Sequence, residues 1–308
     1  MQRLKVSIGI CAHNEENNIG SLLRNLTKQP LPYSSGLEEI IVVSSGSTDR
    51  TDQIVGQMAK EDERIEIIRE KERTGKSQAL NILFGRTSCE VLVVVSADTK
   101  PLQGSLKRLI ESMKPSIGGA CAETLPMNRK STIMEFCNLF LWKVHNRVLN
   151  EESEKGTLSH LGGDMWAIKR GIVHRIPEDV INDDAYLGIS LKKRGWQIKF
   201  VPDAKVFIGG PATPLEFIHQ RERIVIGHKQ VEEIFGFGST TIGAFALKKP
   251  LFSLKVVVNE VRKNGISDYP KIFVGLFLEL VAQTLGRVNS RRKSKFLKWK
   301  QIRSTKDI

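Results

Sequence analysis

The stretch CEVLVVVSADTKPL, Cys89 to Leu102, decides how the chain folds. Val91 to Val95 is unbroken apolar sequence, rich in β-branched residues and too short for a helix, so it reads as a strand buried on both faces. Strands of that kind belong to parallel sheets, where helices cover both sides. Asp98 stands where the chain leaves the sheet, and Pro101 suits the first position of a helix over PLQGSLKRLIESM. A single carboxylate at the mouth of a buried strand calls for an explanation.

The flanking sequence repeats the pattern. KVSIGICA reads as a strand, followed by a helix that Asn14 can cap and that carries Ile19, Leu22, Leu23 and Leu26 on one face. EEIIVVSS and RIEIIRE are further strands, separated by a loop and helix over GSTDRTDQIVGQMAKED, and GKSQALNILFGR is another helix. GACAE adds a short strand after the Pro101 helix. Strands alternating with helices of this length mean βαβ units and a mostly parallel sheet. Beyond residue 125 the rhythm breaks into one long helix, IMEFCNLFLWKVHNRVLN, a polar loop over NEESEKGTLSHLGGD, and then MWAIKR, DDAYLGISLKKRGW and QIKFVPDAKV. The break predicts a second subregion laid on the same sheet.

The 308 residues are 40% hydrophobic, enough for a sizeable core. The formal net charge is +13, of which Gly286 to Ile308, with nine Lys or Arg against one Asp, carries +8. The basic end reads either as a solvated tail or as a contact for an anionic membrane surface. Phe296 and Trp299 lie within it, yet no recognisable nucleic-acid module accompanies them, and nucleic acid is not expected as a partner. Cys11, Cys89, Cys121 and Cys137 show no Cys-x-x-Cys spacing, which argues for a reducing compartment and against zinc. MQRLKVSIGICAHNEE is not a signal peptide. The apolar run Ile272 to Leu285 is shorter than the ~20 residues of a span and is interrupted by Glu279. It reads as a buried or amphipathic helix, or as one inserted in a membrane interface with the basic tail behind it. The expected location is cytoplasmic and peripheral, at the inner face of the cell membrane.

In an open parallel sheet, ligands bind beyond the carboxyl ends of the strands. Three loops there are rich in oxygen ligands: His13 to Glu16 after the first strand, SSGSTD (Ser44 to Asp49) after the second, and Asp98 after the fourth. Asp49 by itself reads as an ordinary helix cap. Together the loops describe a cleft with hydroxyls for a ribose or base and a carboxylate for a hard cation such as Mg²⁺ or Mn²⁺.

The run of VSIGICAHNEE, IIVVSSGSTDRT, GKSQALN, VVVSADTKP, GGDMWAIKRG, INDDAYLGISLKKRGWQIKFVP and QRERI resembles the family 2 nucleotide-sugar glycosyltransferases, over about residues 5 to 225. The resemblance implies a GT-A fold: an α/β, Rossmann-like, mostly parallel twisted sheet flanked by helices. It implies a catalytic domain over residues 1–235 and a helical, membrane-proximal extension over 236–308. The implied partners are a nucleotide-sugar donor and a glycan or lipid-linked acceptor. Ala12, Asn14 and Glu15 match the family's first nucleotide-contacting loop, and Lys76 the loop whose basic residue faces the donor. Ser44 and Ser45 stand where two acids are usual, so Ser45 would meet the base with a hydroxyl. Ala97 and Asp98 match the Asp-x-Asp metal motif with its first acid replaced by Ser96, leaving Asp98 as metal ligand.

Asp183 and Asp184 match the acidic pair near the acceptor, with Asp184 as the family's general base. Adjacent like charges should raise one pKa, which suits that role. HQRERI resembles the Gln-x-x-Arg-Trp motif, with Gln220 and Arg223 at the diphosphate or acceptor end and Ile224 in place of tryptophan. Asp164 and His160 flank Gly162 and Gly163 on the acceptor side, His160 reading as a mobile loop residue. Two other classes stay open on residues alone: a nucleotidyltransferase, and a basic membrane- or nucleic-acid-binding protein with a degenerate cleft. The first lacks the glycine-rich phosphate loop expected after strand one.

Overall fold

The computed structural model describes residues 3–127, 132–243, 249–263, 268–290 and 303–305. Its strands are β1 (Leu4–Ala12), β2 (Ser35–Ser45), β3 (Ile65–Glu70), β4 (Val91–Ser96), β5 (Thr99–Pro101), β6 (Ile117–Pro126), β7 (Met165–Lys169) and β8 (Gln197–Ile208). They form one eight-stranded sheet in the order β3-β2-β1-β4-β7-β6-β8-β5. β1, β2, β3 and β4 are mutually parallel, and β6 pairs parallel with β8. β7 runs against both β4 and β6, and β5 runs against β8.

Helices α1 (Ile19–Thr27), α2 (Thr51–Glu61), α3 (Lys76–Arg86), α4 (Ser105–Glu111), α5 (Ile133–Glu154) and α6 (Asp183–Lys193) flank this sheet. The central strand divides between two cores, as an unbroken apolar run requires. Val91, Val93 and Val95 pack with Leu22, Leu26 and Leu106 on one face. Leu92 and Val94 pack with Leu80, Leu83, Leu187 and Trp166 on the other.

Three local expectations are corrected. Pro101 does not open a helix; it pairs with Val206 in β5, an edge strand, where a missing N–H is tolerated. Helix α4 starts four residues later, after Gly104 at φ 84°. Asn14 does not cap α1, whose N-cap position is Asn18. Instead Asn14 adopts φ 53° and its Oδ1 accepts from the Thr48 N–H at 2.8 Å, tying the first loop to the second. The polar loop before β7 is also shorter than expected, because α5 continues to Glu154.

The C-terminal part adds α7 (Pro214–Phe235), α8 (Pro250–Arg262) and α9 (Tyr269–Asn289). Met134, Phe140 and Val144 of α5, Phe217 of α7 and Ile272 and Leu278 of α9 share a third apolar cluster. The seam between α9 and α7 is tight: a Cβ on Gly286 would lie 2.7 Å from the Val225 side chain. Glu279, which interrupts the apolar run in sequence, accepts both Nε and Nη2 of Arg221, at 2.7 and 2.8 Å. Helix α9 is longer than the run suggested, with 21 residues, and passes the length and composition test for a membrane span. The basic segment 291–302 lies outside the described residues.

Candidate active site

β1, β2 and β4 are parallel, so their carboxyl ends open on one edge, and the loops that follow them interlock. Asn14 N–H donates to Ser47 Oγ (3.1 Å), Glu15 N–H to Thr51 Oγ1 (2.7 Å) and Glu16 N–H to Asp49 Oδ2 (3.1 Å). Asp49 also accepts from the Thr51 N–H at 2.9 Å, but it is not the cap expected, because the N-cap position of α2 is Arg50. Ser44 donates to Asp52 Oδ1, and Ser45 Oγ accepts from the Thr74 N–H at 3.1 Å. Both serines are buried, so their hydroxyls brace the loop from inside, whereas Thr48 is exposed. Ala12, Glu15 and Ala97 are likewise buried against this edge.

The single acid of β4 has a neighbour. Val95 pairs with Met165 in the antiparallel register of β4 and β7, which brings Asp164 beside Ser96. The Ser96 N–H donates to the Asp164 carbonyl at 2.8 Å, and the Ser96 hydroxyl bonds the Asp164 carboxylate. Burial, followed by the charge of Asp98, pushes Asp164 up to about 6. Burial likewise raises Asp98, against the pull of Lys76. Two half-buried carboxylates, the charge of Asp98 raising the proton affinity of Asp164, form a place where a cation relieves repulsion. Among the described residues no three Asp, Glu, His or Cys side chains are grouped to hold a metal alone. The donor set therefore suits Mg²⁺ or Mn²⁺ with phosphate oxygens completing the shell.

Lys76 opens α3 with its Nζ 3.1 Å from Asp183 Oδ2. Burial alone would lower its pKa, but the charges of Asp183 and Asp184 outweigh that and hold it raised. Asp183 and Asp184 begin α6, and the Ala185 N–H donates to Asp184 Oδ1 at 2.7 Å. The expectation of a raised pKa in this pair is corrected for Asp184. Burial pushes its carboxyl up, yet His160 and Lys76 hold it well below the usual carboxylate range. Arg223, on α7, faces Asp183, Asp184 and Asp164, and burial lowers its pKa. Gln220 stands one helical turn before Arg223, half-buried.

His160 is not the mobile loop residue expected. It is 4% exposed, with Nε2 3.2 Å from Asp184 Oδ2. Two more imidazoles, His145 and His228, stand edge-on to it at centroid distances of 5.8 and 5.3 Å. Nothing in the spacing of residues 145, 160 and 228 announces this column, because three separate elements supply it. A cavity of about 840 Å³ lined by Phe84, Glu90, Met113 and His174 lies at the amino ends of β1 and β4, away from the aspartates.

Residues 7–176 match the family described as glycosyl transferase family 2. The chain is 27% identical over 236 residues to the β-monoglucosyldiacylglycerol synthase of Nostoc sp., covering 73% of this chain and 49% of that one. It is 24% identical over 227 residues to the poly-β-1,6-N-acetyl-D-glucosamine synthase of Staphylococcus aureus, covering 72% and 54%. The chain thus spans about half the length of these curated relatives. Among solved structures, it resembles a mannosyltransferase from Pyrobaculum calidifontis in complex with GDP-Man and Mn²⁺, with TM-score 0.63, 20% identity, and 94% and 87% of the two chains covered. The glucosyl-3-phosphoglycerate synthase of Mycobacterium tuberculosis, with Mn²⁺, UDP and glucosyl-3-phosphoglycerate, follows at TM-score 0.51 and 19% identity, covering 77% and 82%. These two likenesses carry the GT-A fold, and the match over residues 7–176 makes the chain a member of glycosyl transferase family 2.

Proposed function

We propose that the chain moves a sugar from a nucleoside-diphosphate donor to the hydroxyl of a lipid-linked or glycan acceptor, with inversion at the anomeric carbon. One observation carries this reading: Asp98, Asp164 and Asp184 converge with Lys76 and Arg223 at the carboxyl edge of the sheet. The acids suit a cation and a proton, and the bases suit a diphosphate. Asn14, Glu15 and the loop of Ser45 would frame the nucleoside. Asp98, joined by Asp164, would hold Mg²⁺ or Mn²⁺, which when bound neutralises charge on the departing diphosphate.

In this reading Lys76 and Arg223 hold the phosphates, with Gln220 beside Arg223 at the acceptor end. Asp184 takes the proton from the acceptor hydroxyl, while Asp183 fixes Lys76. A carboxylate held ionised accepts a proton only as the hydroxyl oxygen bonds to the anomeric carbon and its O–H becomes acidic, so Asp184 acts late in bond formation. If the acceptor is a lipid phosphate, Asp184 orients it instead.

Calorimetry with UDP-, GDP- and dTDP-linked sugars, with and without Mn²⁺, tests the reading and identifies the base. Asp98→Ala should abolish metal-dependent nucleotide binding and transfer. Normal turnover by that variant would sink the proposal.

The acceptor class is supported by a second feature, proposed as a membrane contact made by the extension over 236–308. Phe273, Phe277 and Leu280 form one outward row on α9, 72%, 56% and 64% exposed, with Leu251 of α8 at 84%. An apolar row of this kind, followed in the sequence by a basic segment, suits peripheral docking on an anionic leaflet.

A further inference from the structure

His160 belongs to none of the donor loops, and burial of its ring needs a reason. It sits between α5 and β7, where α6 meets the loop at backbone distance: a Cβ on Gly188 would lie 2.6 Å from the His160 Cα. Glycine there lets the start of α6, with Asp184, close onto the imidazole. Nε2 is 3.2 Å from Asp184 Oδ2, yet neither ring nitrogen has a partner in hydrogen-bond alignment. The contact is close in distance and off axis. Buried polar atoms left in this way are rare, and each asks for an explanation beyond packing.

The surroundings supply one. His145 and His228 flank the ring on either side, and burial pushes both down to about 3, so they are neutral at ordinary pH. His228 is also anchored, with Nδ1 2.9 Å from Ser239 Oγ. His145 and His228 are therefore uncharged neighbours of His160, the imidazole of the three in reach of the Asp184 carboxylate.

We propose that His160 is the positioning residue of Asp184 and receives its proton during transfer; this rests on the reading of Asp184 as general base. As the acceptor oxygen bonds to the anomeric carbon, its O–H proton passes to Asp184. The bond from that carbon to the diphosphate oxygen breaks, and the nucleoside diphosphate leaves with the electron pair. The proton then moves from Asp184 Oδ2 to His160 Nε2, leaving a carboxylate and an imidazolium. It returns through Asp184 to solvent when product departs. The direction follows from intrinsic basicity, since imidazole binds a proton more tightly than a carboxylate does. A carboxylate already bonded to the Ala185 N–H and faced by Lys76 is an especially poor place to keep one.

The test uses the full chain and whichever UDP-, GDP- or dTDP-linked sugar wild type turns over. His160→Gln can hold the carboxylate but cannot carry the proton. It should keep its affinity for the free nucleoside diphosphate, keep KM within about threefold, and lose roughly 10–100-fold in kcat. His160→Ala should lose at least as much. Turnover by His160→Gln within twofold of wild type overturns the proposal. Should neither variant fold, histidine-selective ¹⁵N spectra of wild type and Asp184→Asn decide. The His160 ring signals should move while those of His145 and His228 stay, and unmoved His160 signals overturn it. A wild type that releases nucleoside diphosphate from none of the donors defeats the glycosyl-transfer reading instead, and the spectra still judge His160.

Discussion

Ser96 occupies the place where the resemblance implies an acid, and the fold sets Asp164 beside it. Where a second acid would stand in β4, its hydroxyl and N–H hold Asp164, carried in from the start of β7. The proposed division of labour makes Asp164 the second carboxylate of the cation site. Asp164→Asn should then weaken Mn²⁺-dependent binding of the nucleoside diphosphate about tenfold or more, while metal-free binding changes little. Titration calorimetry in paired buffers with Mn²⁺ and with chelator reads this directly, and equal losses in both would assign Asp164 to the diphosphate alone. At the same scale, Lys76 reaches from an exposed position to the buried Asp183 carboxylate, which its loss would leave without that opposite charge.

At the level of elements, α7 links two tasks. One side presents Arg223 to the aspartates, and the other holds α9 through Arg221 and Glu279. Both partners of that pair are largely buried, so removing one leaves an uncompensated charge. Glu279→Ala should cost about 3 kcal/mol in chemical unfolding, and Glu279→Gln, which keeps an acceptor, clearly less. The histidine column adds an acid sensitivity of its own. His145 and His228 sit at about 3 in the fold, against 6.5 when unfolded, so between those values only the unfolded chain binds the protons. Stability from these groups therefore rises with pH, by about 1.4 kcal/mol per unit for each, and is lost as pH falls below 6.5. Asp98 and Asp164 act oppositely, because their raised pKa values let the fold hold protons more readily than the unfolded chain. The informative quantity is thus a difference: His145→Gln/His228→Gln should show a shallower loss of stability than wild type between pH 6.5 and 4.5 in urea titrations. Parallel curves would place the charge elsewhere.

For the molecule as a whole, the proposed membrane contact fixes how the cleft meets its acceptor. Phe273→Glu/Phe277→Glu changes only outward side chains of α9 and leaves the seam of Gly275, Ala282 and Gly286 intact. It should remove most flotation with anionic liposomes while the unfolding midpoint stays within a few degrees. Undiminished flotation would shift the contact to the basic segment.

The sheet was legible because its evidence is local. Hydrophobic runs, helical spacing and oxygen-rich loops each lie within a dozen residues, and the resemblance to the family supplied their order. Pro101 was misread for the same reason: a proline suits a helix start and an edge strand alike, and only pairing with Val206 separates them. The site was legible in part. Asp98, Lys76, Asp184 and Arg223 stand in motifs, and the fold gathers them. What only the tertiary structure decided is which groups face one another across long separations. Asp164 reaches Ser96 through an antiparallel register, and His160 reaches Asp184 because Gly188 admits close approach. Residue type and spacing determine which strands and helices form, whereas the field at a carboxylate depends on distances of a few ångströms that the packing of the whole chain sets.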